Sequence, residues 1–243
     1  MDKIKYLSRI RLFDELELEE LKKIESDTSI DVMKRGTMIT SPHMEQQFLY
    51  LVKAGKVRLY KVSEDGKELT LDILGAGHVF GAVGTFTTGS EGVYAETWED
   101  SLICKIDRTQ FQKLIHDKPD IALKFIEILS IRVKEMEELL EHMAHSSARK
   151  RLLFLLYKLS KKFGIAVEAA EDWRQVEISI THQELANMTG SIRETVTGLL
   201  NDLTQEGIVR KAAPRKLLQI HLGRLIDELE SGINNQNNIS VIK

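Results

Sequence analysis

The side chains best suited to chemistry fall between Ile180 and Arg210. Thr181-His182-Gln183-Glu184 has the Thr-x-x-Glu spacing of a capping box. In that motif the threonine hydroxyl takes an amide of the first helical turn and the glutamate returns to the cap amide. The helix is short and stops at Gly190, a residue free to take a left-handed turn. Ser191-Ile192-Arg193-Glu194 repeats the spacing, so a second helix is expected to start at once. Two capped helices around a short glycine turn predict a helix-turn-helix. Ala186 is the small residue needed where the helices cross, and Leu185, Val196, Leu199, Leu200 and Leu203 supply a shared core.

In such a motif the N-terminal residues of the second helix meet base edges in the major groove. Arg193 and Thr197 are the exposed candidates, with Glu194 beside them. Arginine can bond guanine O6 and N7 together, and glutamate can accept from cytosine N4. Glu194 as a cap alone, and Arg193 as a solvated first-turn residue, are the competing readings. Thr181, Ser191 and Thr195 are candidate phosphate contacts through hydroxyls or helix-start amides. Downstream, Ile208 to Ile220 reads as a hairpin with a basic tip at Arg215 and Lys216. The tip is either a wing beside a phosphate backbone or a solvated turn.

Other chemistries find little support. The chain holds no Walker A sequence, no dinucleotide-binding glycine turn, no Gly-x-Ser-x-Gly and no His-Glu-x-x-His, so no enzyme class is indicated. Cys104 is the only cysteine, which excludes an intramolecular disulfide and argues against a cysteine-held Fe–S cluster or structural zinc. It follows Leu102-Ile103 and reads as a buried small hydrophobe. His142 and His145 are three apart beside Glu141, a spacing that a metal shared across a dimer axis would allow. Polar residues at a helix end explain them as well, and no metal site is predicted.

Residues 28–110 read as short strands broken by glycines, with Phe48-Leu49-Tyr50-Leu51-Val52 and Val57-Arg58-Leu59-Tyr60 among the runs. Asp65-Gly66 marks a hairpin. Before them, Leu12, Phe13, Leu16, Leu18 and Leu21 suggest one or two short helices. From 111 to 145 the period becomes helical. Ala122, Ile126, Leu129, Val133, Met136, Leu140 and Met143 follow at spacings of 4, 3, 4, 3, 4 and 3, a heptad seam. A parallel dimer through Ile126, Leu129, Val133, Met136, Leu140 and Met143 is expected. A long helix packed on its own β domain is the other reading, and the two can coexist. A further helix runs from about Ser147 to Phe163, with a strand from Trp173 to Ile180. The expected organisation is a sensor domain at 1–115, a dimerisation helix and hinge at 116–146, a DNA-binding domain at 147–230 and a disordered tail at 231–243.

Charge follows this division. Residues 1–145 carry 20 Lys and Arg against 26 Asp and Glu, a balance of −6, and residues 146–243 carry 14 against 11, a balance of +3. The C-terminal part can face phosphates more readily. No run of apolar residues is long enough for a membrane span, and the N-terminus lacks an apolar signal-peptide core, so cytoplasmic residence is expected.

This order of elements resembles the CRP/FNR family of bacterial regulators from about Leu12 to Leu229. The carriers are Gly55-Lys56-Val57-Arg58-Leu59-Tyr60, Glu64-Asp65-Gly66-Lys67-Glu68, Gly77-His78-Val79-Phe80-Gly81 and Arg193-Glu194-Thr195-Val196. The resemblance implies an α+β fold: an N-terminal β-roll (jelly-roll-like) sensor, a long dimerisation helix and a C-terminal winged helix-turn-helix. It implies a homodimer on double-stranded DNA, reading an inverted repeat, with RNA polymerase as a further partner. The family's recognition pair falls on Arg193 and Glu194, while the second arginine usual four residues later is Gly198 here. The implied half-site is therefore related to the TGTGA type but not identical with it.

The departures bear on the effector. Cyclic-AMP binders of the family follow Phe-Gly with a ribose-binding Glu and later an Arg-Ser for the phosphate. Here Ala82 follows Phe80-Gly81, and no arginine lies between Lys67 and Lys105. A buried phosphate without a cation is poorly solvated, so cyclic-AMP binding in the usual mode is not expected. Residues 40–75 and 199–229 are also similar to the CO-sensing haem regulators, whose Cys and His positions look like Gly81 and Val83 here, so neither haem in that mode nor an Fe–S cluster is expected. Two possibilities stay open. An unidentified small effector sits in a pocket around Phe80, Gly81, Ala82, Val83, Tyr94, Leu129 and Val133, or the pocket is collapsed and the regulator acts through its abundance. A non-DNA ligand-binding or adaptor module is the rival class, and the twin capping boxes with Arg193 argue against it.

Overall fold

A computed structural model describes residues 10–237 apart from 46, 84–85, 90–91, 169 and 213–216, with backbone alone at 25–27 and 231–237. The chain divides into two units, Met1–Glu137 and Glu138–Lys243.

Among the described residues of the first unit a 3₁₀ turn, Arg11–Phe13, and helix α1, Leu18–Asp27, precede nine strands. These are β1 (Ser29–Met33), β2 (Met38–Thr40), β3 (Phe48–Ala54), β4 (Val57–Val62), β5 (Glu68–Leu74), β6 (Val79–Val83), β7 (Phe86–Thr87), β8 (Tyr94–Thr97) and β9 (Ser101–Asp107). They form two antiparallel sheets, ordered β1-β9-β3-β6-β7 and β2-β8-β4-β5. The hairpin at Asp65-Gly66 joins β4 to β5, with Gly66 at φ +78° as the tight turn requires. Helices α2 (Arg108–Asp117) and α3 (Asp120–His145) follow.

The near-continuous apolar run of β3 is explained by burial on both faces. Tyr50 and Val52 point with Phe80 and Ile103 into one core, while Leu49 and Leu51 point with Val79, Val83, Cys104 and Ile106 into another. The second core is closed by Phe13 and Leu21 and by Phe111, Ile121 and Phe125 of α2 and α3. Strand alternation makes the split: successive residues face opposite sides of a sheet. Cys104 is fully buried, and burial pushes its thiol pKa up, as expected of a small hydrophobe.

Helix α3 carries two parallel stripes. Ile121, Phe125 and Ile128 pack on the β unit. Ile126, Val133, Met136 and Leu140 are exposed, at 58%, 56%, 50% and 66%. Packing of the helix on its own β domain is therefore seen, and it takes in Leu129 of the heptad seam, while Ile126, Val133, Met136 and Leu140 of that seam stay exposed within the chain.

The second unit holds α4 (Ala148–Phe163), β10 (Gly164–Val167), β11 (Ala170–Val176), α5 (His182–Thr189), α6 (Arg193–Gln205), β12 (Val209–Ala212), β13 (Leu217–His221) and α7 (Leu222–Asn237). Its sheet is ordered β10-β11-β13-β12. The strand expected at Trp173–Ile180 starts earlier and ends at Val176. Helix α7 also extends over 231–237, part of the tail expected to be disordered, because Leu222, Leu225, Leu229 and Ile233 continue a helical spacing. Residues 238–243 lie outside the described residues. Arg149 of α4 ties Glu206 at 2.5 Å to Glu228 of α7 at 3.1 Å. Among the described residues no helix is long and apolar enough to cross a membrane.

Candidate nucleic-acid interface

The first capping box forms as its spacing predicts. Thr181 Oγ1 accepts from Glu184 N at 3.2 Å, and Glu184 Oε2 accepts from Thr181 N at 2.5 Å. Helix α5 ends at Gly190, whose φ of +58° and ψ of +38° place it in the left-handed region. The Gly190 amide donates to Ala186 O, and so does Ser191 N, at 3.0 Å. Leu185, Ala186, Val196, Leu200 and Leu203 are buried at the crossing of α5 and α6.

The second capping box does not form. Helix α6 starts at Arg193 with Ile192 as its extended N-cap, which has no side-chain hydrogen bond. The third residue of the helix is then Thr195, which has no long side chain to close a box. Ser191 serves the turn instead. Its hydroxyl donates to Thr189 O and accepts from Arg151 Nη2, both at 3.4 Å. The same guanidinium donates to Thr189 O and to Ser146 O, each at 2.8 Å. Arg151 thus holds the turn between the two helices from α4, a role with no local sequence signal.

Arg193, Glu194 and Thr195 are exposed on the first turn of α6. Among the described residues the side chains of Arg193 and Glu194 make no hydrogen bond or ion pair, so both are available to a ligand. Glu194 also lies where the helix dipole favours an anion. Thr197 is partly covered and already engaged: its hydroxyl donates to Arg193 O at 2.8 Å and contacts His182 Nδ1 at 2.8 Å. Burial first, then the charges of Lys211 and Arg193, hold the His182 pKa below its ordinary value. His182 and Lys211 are therefore near neighbours of α6 that sequence reasoning passed over. His182 hides inside the cap motif, and Lys211 is assigned to the hairpin.

The hairpin of β12 and β13 forms, with Ala212 opposite Leu217. Arg210 lies over the Trp173 ring at 3.9 Å and donates to Gln219 Oε1 at 2.7 Å, so it braces the sheet. Arg215 and Lys216, the expected basic tip, lie outside the described residues.

The candidate effector residues are not brought to one place. Phe80 stacks on Tyr50 at 5.0 Å inside the core between the sheets. Val83 belongs to the other core, with Leu129 packed against it. Gly81 backs onto Phe48, and Ala82 pairs with Thr87. Tyr94 stacks on Tyr60 at 5.1 Å, and Val133 is exposed. Phe80 and Val83 are three apart on one strand, so they face opposite sides of the sheet. Among the described residues no cluster of His, Cys, Asp and Glu could hold a metal ion.

Comparison with known proteins agrees with this geometry. Residues 31–118 match the cyclic nucleotide-binding domain family, and residues 150–226 match the Crp-like helix-turn-helix domain family. The chain is 31% identical to the cyclic AMP receptor protein of Thermus thermophilus over 77% of its length and 81% of that protein. The chain belongs to the CRP/FNR family. As a CRP/FNR protein it is a transcription regulator with a helix-turn-helix DNA-binding domain, and not an enzyme. It is also 29% identical to the global nitrogen regulator of Synechococcus elongatus, over 81% of this chain and 84% of that one. A variant of CooA from Carboxydothermus hydrogenoformans shares the fold, with a TM-score of 0.73, 24% identity and coverage of 90% and 94% of the two chains.

Proposed function

We propose that this CRP/FNR protein acts in the cytoplasm as a homodimer on an inverted-repeat promoter site. The half-sites lie about one helical turn apart. Arg193 takes guanine O6 and N7, and Glu194 accepts from cytosine N4 on the opposite strand. The observation that carries this reading is the pair of exposed, unengaged side chains on the first turn of α6. The outward seam of Ile126, Val133, Met136 and Leu140 supports the homodimer. Thr181 and Thr195 contact phosphates, as do Arg215 and Lys216 of the wing. The regulator then contacts RNA polymerase or occludes it.

Genomic footprinting of wild type against Arg193→Ala tests the assignment. Loss of a bidentate contact should cost about 1–3 kcal/mol per half-site. Unchanged sequence-specific occupancy in the variant would refute the reading.

Control by a small effector other than cyclic AMP in the usual mode is one form of this proposal. The Thermus relative is named for cyclic AMP, whereas Ala82 and the arginine-free stretch after Lys67 argue against that ligand here. Binding without any effector is favoured by the stacking of Phe80 on Tyr50, which fills the core between the sheets. Tight specific binding by purified ligand-free protein would count against obligate effector control. A thermal shift with one compound of a metabolite panel would count for it.

A further inference from the structure

The contacts of Thr197 restrict what it can read. A hydroxyl has one proton and two acceptor positions. Thr197 Oγ1 lies 2.8 Å from Arg193 O and 2.8 Å from His182 Nδ1. The carbonyl can only accept, so the threonine proton belongs there; without it two acceptor oxygens would face each other at 2.8 Å. The imidazole must then donate from Nδ1 to the threonine oxygen. Burial first, and then the charges of Lys211 from the hairpin and Arg193 from α6, favour the neutral form of this ring. A neutral imidazole with its proton on Nδ1 supplies that bond.

We infer that His182 is a positioning residue that fixes Thr197 as an acceptor-only reader, so the base step facing Thr197 must present an exocyclic amine, adenine N6 or cytosine N4. Guanine and thymine offer O6 and O4 toward the same point in the major groove, and an oxygen with no free proton repels them. The inference rests on the reading that α6 enters the major groove. It adds a base preference beside that of Arg193 and Glu194, set from α5 across the motif.

Selection of bound fragments from random DNA tests this with the full chain as wild type, His182→Ala, Thr197→Val and Arg193→Ala. At one position of each half-site the wild type should favour adenine or cytosine over guanine and thymine by about three- to tenfold. Thr197→Val keeps the shape and should level that position alone. His182→Ala removes the donor that fixes the oxygen from α5, so the hydroxyl can leave Arg193 O and offer its proton to a base oxygen; the preference should move toward parity, with other positions unchanged. Nitrogen-15 spectra of histidine-labelled wild type should show His182 as the Nδ1–H tautomer, a readout that needs no variant. A Thr197-dependent preference for guanine or thymine would overturn the inference. So would a preference untouched by His182→Ala or Thr197→Val, or an Nε2–H tautomer. Failure of the underlying reading looks different: Arg193→Ala would then select the same sequences as the wild type.

Discussion

At the scale of single residues, helix α6 has an opening at Gly198. Nothing lies within 4 Å of the position a Cβ would take there. Mid-helix glycine is costly in backbone entropy, so Gly198→Ala should raise stability by about 0.5–1 kcal/mol, measurable by urea denaturation. Gly198→Arg has room for the side chain and should add a preference for one further guanine in fragment selection. A profile identical to that of the wild type would show that this helix face does not meet base edges. His142 provides a pH test. Its ring lies 3.7 Å from that of Phe154, and burial holds its pKa below the ordinary 6.5. His182 is shifted the same way. The folded state then takes up protons less readily than the unfolded chain, so stability is full above pH 6.5 and declines as pH falls through that value. The melting temperature should drop between about pH 7.5 and 5.5, and His142→Phe should remove part of that slope.

At the scale of elements, β6 depends on a glycine for two separate reasons. Gly81 has φ of +96°, and a Cβ there would lie 2.5 Å from Phe48 O and 2.8 Å from Tyr50 Cδ2. The first contact is with backbone, which cannot swing aside. Gly81→Ala should therefore cost well over the ~1–2 kcal/mol of a left-handed residue alone. Gly66→Ala at the exposed hairpin meets nothing within 4 Å, so only the conformational cost remains. Urea midpoints of the two variants compare them directly, and equal losses would mean β6 relaxes away from β3. The same strand explains why candidate pocket residues adjacent in sequence are far apart in environment: Phe80 and Val83 serve different cores.

At the scale of the whole molecule, the boundary between the two units falls within α3, and the exposed stripe of that helix is where the proposed homodimer can be tested. Met136→Glu and Leu140→Glu place charges on side chains that are 50% and 66% exposed within one chain. Folding of the chain should be little affected. The dimer dissociation constant should rise by at least about tenfold, because the charges would be buried unpaired between partners. Sedimentation measures that change, and affinity for a two-half-site fragment should fall with it. If both variants sediment as the wild type does, the chain associates through another surface or not at all.

What the sequence determined by itself is what short spacing encodes. The box of Thr181 and Glu184, the turn at Gly190, the hairpin at Asp65-Gly66 and the helical period of α3 rest on partners at most a few positions apart. Local backbone geometry is enough to place them. The same locality explains the misses. Ser191-x-x-Glu194 has the spacing of a cap, yet Arg151 on another helix takes the serine, and α6 begins two residues later. The two faces of β3 and β6, the second stripe of α3 and the bond from His182 to Thr197 join residues whose proximity depends on packing. The helix-turn-helix was legible from the box of Thr181 and Glu184 and the turn at Gly190. The Thr197 proton goes to Arg193 O one turn back in the same helix, but which group then meets its oxygen was decided only when α5 closed against α6 and brought His182 within reach.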